Sequence, residues 1–383
     1  MQNHSWFSQL SYRQRIWLFS TVAAMFILVT VGLILNSLPQ PPKAIQAFNI
    51  DMSIKKTAPQ LGITGKALAR ELDLPLDVSK RKPLKALGVS TEKLEHAVEH
   101  ILSHHDTMLK YYIYAALVLG GLVFLTRLGR PDLSDLKQRR VWYPKAPHII
   151  FLIISVIVAG FLLGKSPNPM EGAVKTFKCM VGLYPDPVAK VIAFLFFIML
   201  ALVGTKLICG WACPFGALQE LLYTIPILKK IKKRKVPFIF TNTIRSLLFL
   251  LMLLFLFGIV GGRKGFVIYH NLNPFNLFNL DFESATIIIT IITALTVSLV
   301  AYRPFCQLIC PFGLISWLIE AFAVFRIRID KNKCTECGAC IKACPTGATK
   351  GLIKEKKLSA DCFSCARCLN VCPFDAIEYK LKK

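Results

Sequence analysis

Acidic residues and histidines are scarce in this sequence. Its 383 residues include 22 Asp and Glu against 47 Lys and Arg, a formal net charge of +25, and only seven His. No C-x-x-C-H motif occurs, which excludes a covalently attached c-type haem, and no long apolar run has a histidine in its interior, which excludes a b-type haem held by two such histidines. No soluble stretch interleaves a basic stripe with aromatic residues, so the positive charge does not indicate a nucleic-acid partner.

Long apolar runs are abundant instead. The chain is 54% hydrophobic with a mean hydropathy of +0.51. Six runs are long enough to be candidate membrane-spanning helices, namely residues 16–35, 111–126, 147–164, 188–207, 246–262 and 286–302. The first has no small-residue cleavage site after it and is predicted to be an uncleaved anchor within residues 1–38. The sequence therefore predicts an all-α polytopic membrane domain of about six transmembrane helices.

Basic residues alternate between the loops that join these runs. Loops 127–146 and 208–243 are rich in Lys and Arg, whereas loops 165–187 and 263–285 contain three and two. Because basic loops stay on the cytoplasmic side, this bias predicts that both termini lie in the cytoplasm. We expect a multi-pass protein of the cytoplasmic membrane, with residues 39–110 on the outer side.

Residues 39–110 are polar and show two helical patterns. Thr64 and Ser90 are candidate N-caps, so a small extracytoplasmic helical domain is predicted. A DNA-binding helix-turn-helix is disfavoured by its nearly balanced charge and its outer location. His96, His100 and His104 share one helix face, which is either a solvated surface or a haem or metal site.

The C-terminal residues 326–383 contain two C-x2-C-x2-C-x3-C runs, each followed by proline. This is the spacing of an α+β bacterial ferredoxin with two [4Fe–4S] clusters, in which the fourth cysteine of each run ligates the other cluster. Zinc sites pair their cysteines two and two, and twelve of the thirteen cysteines fall into tight motifs, so zinc and disulfides are the weaker interpretations. The predicted ligands are Cys334, Cys337, Cys340 and Cys372 for cluster one, and Cys362, Cys365, Cys368 and Cys344 for cluster two.

Two further cysteine motifs follow the fourth and sixth apolar runs. Both read C-x3-C-P-F-G, both have a basic residue three positions before the first cysteine, and they lie 97 residues apart. A duplicated helix pair would bring their cysteines together at the cytoplasmic surface of a membrane domain spanning residues 111–325. Three roles remain open: a third iron–sulfur centre, a pair of redox dithiols, or packing. The four residues are Cys209, Cys213, Cys306 and Cys310.

The twin C-x3-C-P motifs followed by two ferredoxin runs resemble the membrane-bound polyferredoxin family. Its members include the quinol-dehydrogenase membrane subunit of periplasmic nitrate reductase, the regulatory and electron-donating protein of nitrous-oxide reductase, and the cytochrome-oxidase accessory polyferredoxin. The resemblance covers residues 146–383. It implies electron transfer between the quinone pool and iron–sulfur or extracytoplasmic acceptors, in association with other redox subunits. The chain lacks the large N-terminal flavin-binding domain of the nitrous-oxide-linked members.

The two outer loops are candidates for a quinone site. Quinol oxidation requires a proton acceptor near the two hydroxyls and apolar walls around the ring. His270 and Tyr269 on one loop, with Glu171 and Asp186 on the other, are the candidate residues. The alternative is that an interfacial His and Tyr only anchor a re-entrant loop.

Together these patterns predict an electron-transfer protein that links quinone in the membrane to a cytoplasmic dicluster ferredoxin domain, as a quinol dehydrogenase or oxidoreductase subunit. A maturation factor that reduces metals or thiols for another respiratory complex is the first alternative, and a redox-sensing regulator is the second. The basic ferredoxin part suits an acidic cytoplasmic partner or the membrane surface. The sequence leaves the direction of electron flow, the reduction potentials and the quinone type open.

Overall fold

The computed structural model describes residues 48–61, 65–75, 78–103, 109–128, 146–164, 168–183, 187–225, 235–260, 267–280, 282, 284–354 and 359–381. The predictions that fall outside these residues include the anchor helix at 16–35, the N-cap at Thr64, and the candidate quinone residue Asp186.

The N-terminal part is a small helical unit with its own apolar core. It contains α1 (Ile54–Gln60), α2 (Gly65–Glu71) and α3 (Thr91–Ser103). Ser90 caps α3, because its hydroxyl accepts a hydrogen bond from the Lys93 backbone N–H at 3.2 Å. His96 is exposed on α3, and His104 lies outside the described residues.

Five apolar helices coincide with the predicted runs from residue 111 onward. They are α4 (Leu109–Leu128), α5 (Ala146–Ile154, continued by a π-helix at Ser155–Leu162), α7 (Pro187–Val203), α9 (Phe238–Phe257) and α11 (Ala285–Ser298). Among the described residues, only α9 is long and apolar enough to cross a membrane by itself. The other four have shorter apolar stretches of 14 to 16 residues.

Two helical segments lie between these helices, and each contains a helix that starts at an Asn-Pro pair. The first is α6 (Pro169–Met180), and the second is α10 (Ile268–Asn271) followed by a 3₁₀ helix at Pro274–Asn279. Asn168 caps α6 by accepting from the Glu171 N–H at 2.8 Å, and Asn273 accepts from the Phe275 N–H at 3.1 Å. The asparagine side chain therefore caps both helix starts, through the third residue after it in α6 and through the second in the 3₁₀ helix.

The cysteine motifs lie at helix starts rather than inside one continuous helix. The first runs through a π-helical turn at Ile208–Ala212 into α8 (Pro214–Thr224). The second runs through α12 (Pro304–Leu308) into α13 (Pro311–Ile319), which a 3₁₀ turn extends to Phe322. The second cysteine of each motif has extended backbone, as expected for a residue that precedes proline.

The C-terminal part is a two-stranded antiparallel sheet with three short helices between its strands. Strand β1 (Phe325–Ile329) pairs with β2 (Ile377–Leu381), so that Phe325 lies opposite Leu381. The intervening helices are α14 (Ala339–Ala343), α15 (Ala348–Ile353) and α16 (Arg367–Val371).

One apolar core joins this C-terminal part to the helices. It contains Tyr114 of α4, Phe197 of α7, Phe325 of β1 and Leu369 of α16. The backbone continues the contact, because the Thr205 N–H donates to the Phe325 carbonyl at 3.2 Å. The sheet is therefore packed directly on the helical part.

Candidate metal centres

Eight cysteines line two cavities in the C-terminal part. The distal cavity is lined by residues 329–377, and its cysteines are Cys334, Cys337, Cys340 and Cys372. The proximal cavity also has Tyr302 of the helical part on its wall, and its cysteines are Cys344, Cys362, Cys365 and Cys368. Each cavity thus takes three cysteines from one run and the fourth from the other run. This is the crossed grouping that the spacing predicts, and the ligand assignment itself stays a prediction.

The donor set fits a cluster better than a single ion. No three His, Cys, Asp or Glu side chains among the described residues are close enough to hold one metal ion. A four-iron cluster spreads its cysteines more widely, because each thiolate binds a different iron atom. None of the thirteen cysteines forms a disulfide bond.

The twin motifs share an unusual backbone. Lys206 and Arg303, three residues before the first cysteine of each motif, both adopt left-handed conformations, with φ of 44° and 46°. Gly216 and Gly313 occupy equivalent positions, and a Cβ at either would clash with the carbonyl oxygen of the first cysteine of its motif. The sequence duplication is therefore a structural duplication of the turn that presents the cysteines.

The four motif cysteines converge inside the protein. Cys213 lies within electrostatic range of the other three thiols, and Cys209, Cys213 and Cys306 are each at most 7% exposed. The Gln219 amide donates to the Cys306 sulfur at 3.3 Å. Burial raises the pKa of all four thiols, that of Cys209 to about 12, although Lys206 lowers it in part. Neutral buried thiols are poor nucleophiles, which disfavours dithiol exchange, whereas a metal would deprotonate them.

A buried ion-pair network connects the first motif to the proximal cavity. The Glu220 carboxylate on α8 lies 2.7 Å from the Arg303 guanidinium and 3.0 Å from that of Arg367. Burial alone would raise the pKa of Glu220, but the two guanidinium groups lower it to about 2. Arg303 also donates to the carbonyl oxygens of Cys209 and Gly210. Arg367 lies between Cys365 and Cys368, so Glu220 ties α8 to the wall of the proximal cavity.

A second network repeats the arrangement on the second motif. Asp361, which directly precedes Cys362, lies 2.5 Å from Lys206 and 3.0 Å from Arg245. Lys206 also donates to the Gly313 carbonyl at 2.6 Å, and Arg245 contacts the Cys306 carbonyl at 3.5 Å. In each motif, the carbonyl oxygen of the first cysteine therefore contacts an arginine, and that arginine forms an ion pair with a carboxylate.

Buried positive charge exceeds buried negative charge between the motif cysteines and the proximal cavity. Four fully buried cations face two carboxylates, a surplus of two positive charges; the cations are Lys206, Arg245, Arg303 and Arg367. Burial raises the pKa of nearby Glu320, which disfavours its charged form. Unpaired buried charge is costly. A thiolate-ligated iron–sulfur cluster is anionic and would neutralise the surplus, so the residues present fit such a group.

Direct contacts join the first motif to the loop between Cys362 and Cys365. The Trp211 indole N–H donates to the Ser364 carbonyl at 3.0 Å, and the Ser364 hydroxyl donates to the Thr205 carbonyl at 2.6 Å. A Cβ on Gly210 would overlap the Phe363 carbonyl oxygen. Only glycine permits this approach of the two loops.

The candidate quinone residues lie in different environments. Tyr269 is 1% exposed, and its hydroxyl has no hydrogen-bond partner within the described part of the chain. His270 is exposed, and its Nε2 lies 3.0 Å from the Lys178 amino group of α6. Glu171 is engaged in the cap of α6 and in an ion pair with Lys175 at 2.7 Å. The structure thus brings the two loops together, and Tyr269 shares a core with the motif cysteine Cys213.

Sequence reasoning missed the buried charged residues. Glu220, Arg245, Asp361 and Arg367 stand in apolar or cysteine-rich stretches, where a charged side chain is rarely buried without a partner. Their position in such stretches was the sequence signal that could have identified them as buried and paired. Their ion-pair partners lie 83 to 155 residues away in the sequence, so the pairing itself could not be read from it.

Comparisons with known proteins also indicate iron–sulfur clusters. Residues 187–235 match a family model described as a 4Fe-4S binding domain. Two models described as 4Fe-4S dicluster domains match residues 304–348 and residues 333–377. The first match contains Cys209 and Cys213, and the other two together contain every other motif cysteine. The C-terminal dicluster ferredoxin region predicted from the sequence is confirmed.

Two of the relatives that this chain resembles are named as ferredoxin-type proteins. The chain is 28% identical to the ferredoxin-type protein NapH of Haemophilus influenzae over 42% of its own length and 55% of the relative. It is 23% identical to the methylamine utilization ferredoxin-type protein MauN of Methylobacillus flagellatus, over 38% and 50%. An uncharacterized protein of Methanocaldococcus jannaschii is 26% identical over 52% of this chain and 72% of the relative. The chain thus spans about half the length of the two named relatives. No solved structure matches the chain.

Proposed function

We propose, since this chain belongs to the polyferredoxin family, that it carries electrons between quinone in a membrane and a cytoplasmic redox partner. Iron–sulfur electron transfer is the established part of this function. The observation that carries the rest is the contact between Trp211 and Ser364, which joins the motif cysteines to the wall of the proximal cavity. Clusters, when bound, supply one-electron redox chemistry, and the protein supplies their order and surroundings.

Embedding in a membrane is supported by apolar side chains on the outside of the helices. Helix α9 has a mean hydropathy of 2.0, yet only 22% of its apolar window is buried. Contiguous exposed apolar surface of this kind would be unfavourable in water and favourable in lipid. The exposed residues include Ile150, Ile153, Ile157 and Phe161 on α5 and its continuation, Ile239, Leu247 and Leu250 on α9, and Ile288, Ile289 and Ile292 on α11.

The topology predicts a clear result for reporter fusions. Alkaline phosphatase, which folds only outside the cytoplasm, should be active when fused after residue 80 and inactive when fused after residue 235. The reason is the alternation of basic loops. Phosphatase activity in whole cells, normalised to fusion protein on an immunoblot, makes the measurement. Activity after residue 235 would contradict a cytoplasmic ferredoxin region.

The route for electrons follows the contacts from the outer loops inward. Tyr269 and the motif cysteine Cys213 belong to one apolar core. The motif cysteines connect through Trp211 and Glu220 to the proximal cavity, and Cys368 of that cavity lies within electrostatic range of Cys340 of the distal one. The outer loops, the motif cysteines, the proximal cavity and the distal cavity, in this order, would give electrons a continuous path from the membrane to the distal cavity.

Quinol binding is proposed beside Tyr269. Its buried hydroxyl and the equally buried Oδ1 of Asn276 lack partners among the described residues. A quinol hydroxyl could bind to either group, and Tyr269 belongs to one apolar core with Phe275 and Phe278. Exposed His270 would then pass the released protons to water.

Tyr269→Phe should slow reduction of the chain by a quinol analogue roughly five- to tenfold, the effect of one hydrogen bond. Stopped-flow absorbance of anaerobic protein measures this rate, with dithionite reduction as the internal control. Tyr112→Phe on α4 removes a hydroxyl elsewhere and should leave the rate unchanged. Equal rates for wild type, Tyr269→Phe and His270→Gln would place the quinone elsewhere. No reduction of wild type by quinol and no reoxidation by quinone would refute the function itself.

A further inference from the structure

The distal cavity is the exposed end of the proposed path. Cys337 on its wall is exposed, whereas every cysteine of the proximal cavity is buried or half-buried. Its lining comes only from residues 329–377, and none comes from the apolar helices. Phe374, which lies on this wall, is 49% exposed. A large aromatic side chain left in water beside a redox site is typical of a contact anchor.

Exposed charge on the C-terminal part is mostly positive. Within the described part of residues 326–381, the exposed charged side chains are six lysines and one glutamate, namely Lys331, Lys333, Lys342, Lys350, Lys354, Lys380 and Glu336. Glu336 lines the distal cavity itself, and the Lys333 amino group lies 4.0 Å from the Asp330 carboxylate. Lys333 directly precedes Cys334, and Lys342 lies on α14 between Cys340 and Cys344. The two lysines therefore lie next to cysteines of the distal cavity in the sequence, one before Cys334 and the other on α14.

We infer that this face, comprising Cys337, Phe374, Lys333 and Lys342, is the docking surface for an acidic, soluble one-electron carrier protein. The inference rests on the proposed electron-transfer function and names its soluble partner. A central aromatic contact with a basic rim matches a small protein–protein interface, and charge complementarity would steer a short-lived encounter. Anionic lipid is the weaker occupant, because the proximal cavity and not the distal one contacts the helical part.

Charge reversal tests the surface directly. The probe is oxidised flavodoxin, an acidic soluble protein, mixed with dithionite-reduced full-length chain in phosphatidylcholine nanodiscs. We expect the second-order rate of electron transfer to fall as salt rises. The variant Lys333→Glu/Lys342→Glu should lower the low-salt rate about tenfold or more and flatten its salt dependence. Phe374→Ala should lower the rate while leaving the salt dependence unchanged.

The matched control carries the same charge change far from the cavity. Lys55 and Lys56 are exposed on α1, so Lys55→Glu/Lys56→Glu should behave like wild type. Iron content and reduction by dithionite, measured for each variant, show that the clusters remain. A rate for Lys333→Glu/Lys342→Glu equal to that of the control overturns the proposal. A lysine effect confined to nanodiscs of phosphatidylglycerol assigns the face to lipid and also overturns it. Because dithionite supplies the electrons, failure of quinol oxidation would be seen separately.

Discussion

Replacing Cys209 and Cys306 with alanine is expected to remove about four of about twelve iron atoms per chain and to abolish reduction of the remaining clusters by quinol. These cysteines are buried near each other, in the apolar core that also contains Cys368 of the proximal cavity. Loss of two of its four thiolates would leave too few ligands for a cluster. The eight ferredoxin cysteines would be untouched, so dithionite should still reduce two clusters. Iron and sulfide analysis with EPR of anaerobically purified protein makes the measurement.

Cys179→Ala is the matched control, because Cys179 stands apart from the four motifs. It should leave the iron content and the rate of quinol oxidation at wild-type values. The wild-type iron count also separates the competing functions. About eight iron atoms together with four titratable thiols at the motif cysteines would contradict the relay and favour a maturation factor that reduces metals or thiols.

Glu220→Ala is expected to lower the free energy of unfolding by about 3–5 kcal/mol, the usual effect of removing one partner from a buried ion pair. The change leaves the guanidinium groups of Arg303 and Arg367 buried without the carboxylate that both contact. Pulse proteolysis across a urea series, in detergent, measures the loss. Quinol-driven reduction of the clusters should slow as well, because Glu220 connects α8 to the proximal cavity.

An exposed ion pair provides the comparison for Glu220→Ala. Lys93 and Asp73 lie 3.1 Å apart with side chains 44% and 81% exposed. Lys93→Met should change the free energy of unfolding by less than about 1 kcal/mol, because water screens such pairs. Equal effects of the two variants would mean that the Glu220 network is accessible to water, and the buried charge surplus would lose its significance.

The sequence was informative wherever chemistry repeats at fixed spacing. Pro345 and Pro373 end the two cysteine runs, and this alone predicts that Cys344 and Cys372 exchange cavities. The duplication of C-x3-C-P-F-G likewise predicts convergence of Cys209 and Cys306, because a repeated helix pair has an approximate symmetry axis. Hydropathy located the apolar helices to within a few residues, except that α9 starts at Phe238, directly after Pro237, rather than near residue 246.

Long-range electrostatics could not be predicted in this way. Glu220 pairs with Arg367, which is 147 residues away in the sequence, and Arg245 pairs with Asp361, which is 116 residues away. The spacing of residues along the sequence does not specify which charged side chains form ion pairs. The left-handed conformation of Lys206 and Arg303 was also hidden, because a basic residue there looks like ordinary membrane-edge charge. Both features depend on how the two halves of the duplication face each other.

The packing of β1 and α16 on the helical part bears on how such a protein can evolve. Arg367 and Asp361 are fully buried, and their partners Glu220 and Arg245 belong to the helical part. In a free ferredoxin of residues 326–383, both charges would face water, and Phe325 would be absent from the end of its sheet. The C-terminal region is therefore no longer an interchangeable carrier. Recombination that swaps it for another ferredoxin would have to restore two ion-pair networks at once, which ties its inheritance to that of the helices.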